Sequence, residues 1–309
     1  MKTLLLIDAH AMIHRAFHAL PPTLTSRDGT PTNAVYGFFM MFQKIVIDFR
    51  PTHLAVCFDT PKPTFRKKLY TGYQSKRPKM DDLLRVQIPI IRTLLDAGGV
   101  TRVEKEGFEA DDVIGTLAER QKEAFDRVLI VTGDRDLLQL TDEKVSVIAP
   151  KTGISHFDLF TPQEVREKYG MDPMYVPDYK ALAGDSSDNY NTARGIGPKT
   201  AQKLLAPYKT IENLLEHLNE VENVKWREIL QEHKEQILLF KKIATIVRDV
   251  DVNPPMSSLA FSTFQEDLKE EFKKLELYSL IPKLWPSLKP IAGAVKEKKK
   301  PTEDQIGLF

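Results

Sequence analysis

Short apolar runs that stop at an acid constrain this fold more than anything else in the chain. Nine carboxylates end five such runs: Asp8, Asp59, Glu109 with Asp111 and Asp112, Asp134 with Asp136, and Asp185 with Asp188. Residues 4–7, 54–58, 128–131 and 145–148 have the length and composition of buried strands. Between them, residues 33–49, 81–97 and 109–124 show helical spacing. This alternation predicts an α/β fold with a mostly parallel central sheet flanked by helices. Ligands collect beyond the carboxyl ends of the strands in such sheets, so Asp8, Asp59 and Asp134 should converge on one edge. Glu109, Asp111 and Asp112 open a helix, where a carboxylate is electrostatically favoured.

One Asp after a strand is more often a turn or a cap than a ligand. Nine together repel one another, and no single basic residue near the motifs is placed to neutralise them. Divalent cations would do so. Without nearby His or Cys, hard oxygen-preferring ions such as Mg²⁺ or Mn²⁺ are expected. A carboxylate-only site with two such ions is the usual machinery for cutting phosphodiesters. Asp185 and Asp188, three apart, can share one helix face.

The net charge is only +1, so affinity for phosphate must come from local patches. One patch, residues 61–79, holds Lys62, Arg66, Lys67, Lys68, Lys76, Arg77 and Lys79, with Tyr70 and Tyr73 interleaved and no acid. Most charge runs are solvated surface. This one follows directly on Asp59 and fits a channel for a single nucleic-acid strand. A second patch is Arg194-Gly-Ile-Gly-Pro-Lys-Thr-Ala-Gln-Lys203, a tight turn into a helix that starts with Pro198. Its backbone amides, with Lys199, Thr200 and Lys203, suit duplex phosphates, and it resembles a helix-hairpin-helix element. Further helices are expected at 210–218, 225–232, 234–247 and 267–277. Beyond Pro290 the hydrophobic pattern stops, and the closing Gln305-Ile-Gly-Leu-Phe309 is expected to be a docking peptide. The single cysteine, Cys57, lies in an apolar run and excludes an internal disulfide. The apolar stretch at the start is too short for a signal peptide, and none is long enough for a bilayer, so a cytoplasmic, membrane-free protein is expected.

Leu6-Ile-Asp8, Arg15-Ala-Phe-His18, Pro31-Thr-Asn-Ala-Val-Tyr-Gly37, Phe58-Asp59, Glu109-Ala-Asp-Asp112, Thr132-Gly-Asp-Arg-Asp136, Gly184-Asp-Ser-Ser-Asp-Asn189 and Gly195-Ile-Gly-Pro-Lys-Thr-Ala201 occur in this order. Together they resemble the 5′ nuclease domain of bacterial DNA polymerase I, in the flap endonuclease family, over residues 1–288. The resemblance implies a PIN-like or resolvase-like nuclease core at 1–175 with a helical arch at about 62–85. It also implies a helix-hairpin-helix subdomain at 176–290 and a tail at 291–309. The implied activity is metal-dependent hydrolysis of DNA at 5′ flaps and nicks, as endonuclease and 5′→3′ exonuclease. The implied setting is primer removal and DNA repair, near the nucleoid.

By the same resemblance, Asp8, Asp59, Asp111, Asp112 and Asp134 hold a first metal, with Glu109 close by. Asp136, Asp185 and Asp188 serve a second. Arg66, Lys76 and Arg77 are the implied catalytic cations. Arg15, Tyr73, Gly195, Gly197, Lys199, Thr200 and Lys203 are the implied DNA contacts, with K⁺ on the helix-hairpin-helix carbonyls. Gln305, Ile306, Leu308 and Phe309 are similar to a sliding-clamp peptide. A stand-alone monomer is expected, since no polymerase follows.

Three departures stand out. The family's Tyr-Lys-x-x-Arg is Tyr73-Gln-Ser-Lys-Arg77 here, so Gln74 replaces a lysine. Tyr190-Asn-Thr-Ala-Arg194 replaces Ile-Pro-Gly-Val-Pro, and Ala9 replaces a glycine. The first two keep open a weakly active adaptor that binds branched DNA. A nuclease acting on RNA is a further alternative, disfavoured by the duplex-binding hairpin.

Overall fold

The computed structural model describes residues 1–153, 156–190 and 195–285. The tail peptide at 305–309, the linker before it and Arg194 lie outside these residues.

Six strands build one sheet: β1 (Thr3–Asp8), β2 (His53–Cys57), β3 (Arg102–Val103), β4 (Arg127–Val131), β5 (Val145–Thr152) and β6 (His156–Phe160). Their order is β3-β2-β1-β4-β5-β6. All neighbours are parallel except β5 and β6. The chain leaves β1 toward β2 on one side and places β4 on the other. A crevice therefore opens at the carboxyl edge, between β1 and β4. The 4–7 run is continuously apolar because β1 is central and covered on both faces. Leu5 and Ile7 join Val56, Leu129 and Val131 in one core. Leu4 and Leu6 join Ala55, Cys57, Val128 and Ile130 in the other. Each such side chain contributes about 1.5–3 kcal/mol on burial.

The helices of the first unit are α1 (Ala9–Ala19), α2 (Asn33–Phe49), α3 (Phe65–Leu69), α4 (Asp82–Arg85), α5 (Gln87–Ala97), α6 (Ala110–Gln121) and α7 (Pro162–Tyr169). The helix expected at 81–97 is two helices, α4 and α5, and the expected arch is largely turn between α3 and α4. The second unit holds α8 (Val176–Ala183), α9 (Pro198–Tyr208), α10 (Ile211–Glu216), α11 (Val224–Glu232) and α12 (Lys234–Ala244). They close over a core of their own that includes Leu204, Leu214, Ile237 and Phe240.

After α13 (Met256–Leu259) the chain returns to the first unit. Phe264 meets Phe42 edge-on at 5.2 Å, and Phe272 of α14 (Asp267–Lys274) meets Phe39 at 5.1 Å. These C-terminal residues, expected with the helix-hairpin-helix unit, complete the core beside the sheet instead.

A carboxylate cleft as a candidate metal centre

The crevice is a cleft of about 1740 Å³. Asp8, Asp59, Glu109, Asp111, Asp134, Asp136, Asp185 and Asp188 line it, and Asp112 does not.

Asp8 ends β1 and caps α1, accepting the Ala11 N–H at 3.0 Å. The Thr132 hydroxyl donates to its other oxygen at 2.8 Å. Asp59 follows β2 and accepts the Ala110 N–H at 2.8 Å, which ties it to the start of α6. Burial and the charge of Asp59 push the Asp8 carboxyl up to about 7. Burial, then the charges of Asp134, Asp8 and Asp59, raise Asp111 well above the carboxylate range. Burial pushes Glu109 up to about 7 against the pull of Arg66. These groups repel one another across one space, and their donor atoms are all oxygen. That suits a hard divalent cation, which would remove the repulsion. The expectation that no His stands near is corrected: His10 Nδ1 lies 3.3 Å from Asp59 Oδ2.

Asp112 takes another role. Arg66 donates to both of its oxygens, at 2.6 and 2.8 Å. The Glu109 and Val247 N–H groups donate as well, at 3.1 and 3.0 Å. Asp112 is fully buried, with its oxygens committed inside the protein. Arg66 is spent too, since it also donates to the carbonyls of Ile243 at 2.8 Å and Thr245 at 3.2 Å. The expected ligand Asp112 and the expected catalytic cation Arg66 therefore form a structural pair, and the expectation that no basic residue neutralises the acids fails at this one.

Asp136, Asp185 and Asp188 present oxygens within 4.8 Å of one another, the one such acid group among the described residues. Asp185 and Asp188 do not share a helix face. They stand in a turn closed by Asp185 N to Tyr190 O at 2.8 Å and Tyr190 N to Asp185 O at 3.0 Å. Asp134 joins the two groups, because its Oδ1 accepts the Asp136 N–H at 2.8 Å. Lys180, which sequence reasoning passed over, pairs with Asp185 Oδ2 at 2.6 Å and with Asp136 Oδ1. Burial pushes Asp185 up, but the Lys180 charge and the hydrogen bonds from Lys180 and Ser187 outweigh it and hold it low. Burial raises Asp188 despite Arg77. Gln74 Nε2 donates to Asp188 Oδ1 at 3.1 Å, and Arg77 does so at 2.9 Å. The signal for Lys180 was present: a basic residue in the last turn of a helix that stops at Gly184, one residue before Asp185.

The arch residues divide. Tyr73, expected to contact DNA, is buried and donates to Glu109 Oε2 at 3.0 Å. Thr64 donates to Oε1 of the same acid at 3.0 Å. Its hydroxyl thus supports Glu109 at the wall of the cleft, which Tyr73 also lines. Lys76 is exposed, and Arg77 lines the cleft. Arg15 also lines the cleft, held by the Gly153 and Lys151 carbonyls at 3.0 Å each. At the second unit, Gly195 has φ 116°, a left-handed region that favours glycine. Gly197 is the N-cap of α9 without a side-chain cap bond, which leaves amides for an anion. Lys199 and Lys203 are exposed there, with the Lys203 ammonium 5.5 Å from the Trp226 ring centre. Thr200 is half-buried in the same turn.

Two family models match consecutive stretches of the chain. Residues 3–170 match the model described as 5′-3′ exonuclease, N-terminal resolvase-like domain. Residues 171–267 match 5′-3′ exonuclease, C-terminal SAM fold. A DNA polymerase I of Bacillus subtilis is 42% identical over 92% of this chain, which spans 32% of that protein. A 5′-3′ exonuclease of Aquifex aeolicus is 39% identical over 91% of this chain and 94% of its own length. In fold, the chain is similar to the T5 D15 protein co-crystallised with metal ions. The TM-score is 0.66 at 16% identity, over 90% of this chain and 100% of that one.

Proposed function

This chain belongs to the 5′-3′ exonuclease family, and we propose that it cuts DNA at 5′ flaps and nicks, as a flap endonuclease and a 5′→3′ exonuclease. Primer removal and repair are the processes that such substrates fit. The single observation that carries this reading is the cleft, where eight of the nine acids singled out in the sequence meet beside residues of the basic segment.

Divalent ions, Mg²⁺ or Mn²⁺, held by Asp8, Asp59, Asp111 and Asp134 and by Asp136, Asp185 and Asp188, would supply Lewis acidity and charge neutralisation at the scissile phosphate. The protein's own groups do the rest. Glu109 is fixed by Tyr73 and Thr64 at the rim of the first set. Arg77, Arg15 and Lys62 give the cleft walls positive charge for the backbone of the 5′ strand. The amides at the start of α9, with Lys199, Thr200 and Lys203, grip the duplex without reading its sequence, and K⁺ on the preceding loop would assist.

Asp134→Ala tests this reading, since Asp134 links both acid sets. Cleavage of a labelled 5′ flap in Mg²⁺ should vanish while binding of the same DNA persists. Normal cleavage would sink the assignment. A second reading, a branched-DNA adaptor that cuts weakly, is favoured by Gln74 and by the protein cations already on the second acid set. Wild-type turnover on a flap, a nicked duplex and a single-stranded RNA, in Mg²⁺, Mn²⁺ or EDTA, separates the readings.

The chain acts as a monomer in the cytoplasm, near the nucleoid, in this proposal. No described helix is long and apolar enough to cross a membrane. Gln305, Ile306, Leu308 and Phe309 would tether the nuclease to a sliding clamp and raise its concentration at the junction. Leu308→Ala with Phe309→Ala should abolish clamp binding and leave cleavage of free oligonucleotides unchanged. Unaltered clamp affinity would remove this part of the proposal.

A further inference from the structure

Lys180 has no part in the chemistry above, yet its ammonium lies among the second set of acids. It reaches them from the last turn of α8 and keeps only 14% of its side-chain surface exposed. It pairs with Asp185 at 2.6 Å and with Asp136, while Arg77 and Gln74 face Asp188. Three buried carboxylates with oxygens inside 4.8 Å cannot all stay charged without counter-charge. The ammonium supplies part of it at the same oxygens that a divalent ion would use. The two cations repel and compete for the same atoms, so they cannot share the place. In the first set, Arg66 is spent on Asp112. Among the described residues, no lysine is paired with Asp8 or Asp111 as Lys180 is with Asp185.

We propose that Lys180 is the resident counter-ion of the Asp136–Asp185–Asp188 group, and that a divalent ion enters this group by displacing it. The inference rests on the reading of these acids as the second metal position. Lys180 acts through the carboxylates, so it is a positioning residue. It keeps the second set assembled when no ion is there, and it makes that position the weaker of the two. Once displaced, the flexible stem leaves its charge on the wall of the cleft, which Lys180 lines.

Mn²⁺ binding to the full chain without DNA tests this, read by electron paramagnetic resonance and calorimetry. The wild type should bind one Mn²⁺ tightly and a second weakly. Lys180→Met should tighten the second ion on the order of tenfold, and Lys180→Arg should leave it weak. A merely structural lysine would not raise metal affinity when removed. Second-ion affinity that is unchanged or weaker in Lys180→Met overturns the proposal. A measurement on the wild type needs no variant to fold: amine acetylation at Lys180, read by peptide mass spectrometry, should rise several-fold as the second Mn²⁺ binds. Labelling that stays flat while the ion binds overturns the proposal. Asp185→Asn separates the two layers. If it retains both ions, the second metal position fails and this inference fails with it. If it loses one ion while Lys180 in the wild type is unmoved, this inference fails alone.

Discussion

Arg66 and Asp112 show how little separates a ligand from a support. Asp111 and Asp112 are adjacent in Glu109-Ala-Asp-Asp112, and both carry the same chemistry. One helical step turns Asp111 to the cleft and Asp112 to the interior. No pattern in the sequence marks which of the two faces inward, because that depends on where α6 leans on Arg66 and Val247. Arg66→Ala should destabilise the chain by about 3–5 kcal/mol, since it strands a buried charge. Urea unfolding of the metal-free protein checks this, and a loss under about 1 kcal/mol would mean that water reaches Asp112. Tyr73 carries the same lesson. An aromatic among lysines suits base stacking, yet its hydroxyl found Glu109 and its ring found the interior. Asp8, Asp59 and Asp134 were easier to place, because the end of a strand fixes the edge to which they belong.

At the scale of elements, strands covered on both faces announced themselves. The apolar runs at β1, β2, β4 and β5 lie within a residue or two of the expected bounds, except that β5 continues to Thr152. β3 has only two residues, and β6 is a half-exposed edge strand whose partly buried Phe157 and Phe160 flank Asp158, so neither offers the continuous apolar run of a buried strand. The turn that presents Asp185 and Asp188 was unreadable for another reason. Spacing by three fits a helix, but here Gly184 at φ 79° ends α8 and sends the chain into a short bridge. The N-terminus of α9 was legible from Gly-Ile-Gly-Pro, and its role makes a separate prediction. Lys199→Ala with Lys203→Ala should weaken binding to nicked duplexes of any sequence. The slope of log affinity against log salt should fall by about two. Fluorescence anisotropy across a salt series measures it, and an unchanged slope would show that these lysines do not meet phosphate.

For the molecule as a whole, a resolvase-like unit around the sheet is followed by a helical unit through α12, and then the chain turns back. Phe264, Phe272 and Trp285 cover a face of α2 that only its aromatic spacing hinted at. A contact between residues more than two hundred positions apart leaves no local trace in sequence. Phe272→Ala should cost about 3–5 kcal/mol in global unfolding, although it lies far from the cleft. Equal stability of the variant in urea would show that α14 only rests on the core. This return also orders events during synthesis. Nascent domains generally fold as units, starting from the N-terminus. Here the core beside the sheet stays unfilled until residue 272 has left the ribosome. A half-made chain that already carries most of the acids therefore lacks the packing that steadies them. The carboxyl edge of the sheet therefore gains its full support only after the second unit has also been made.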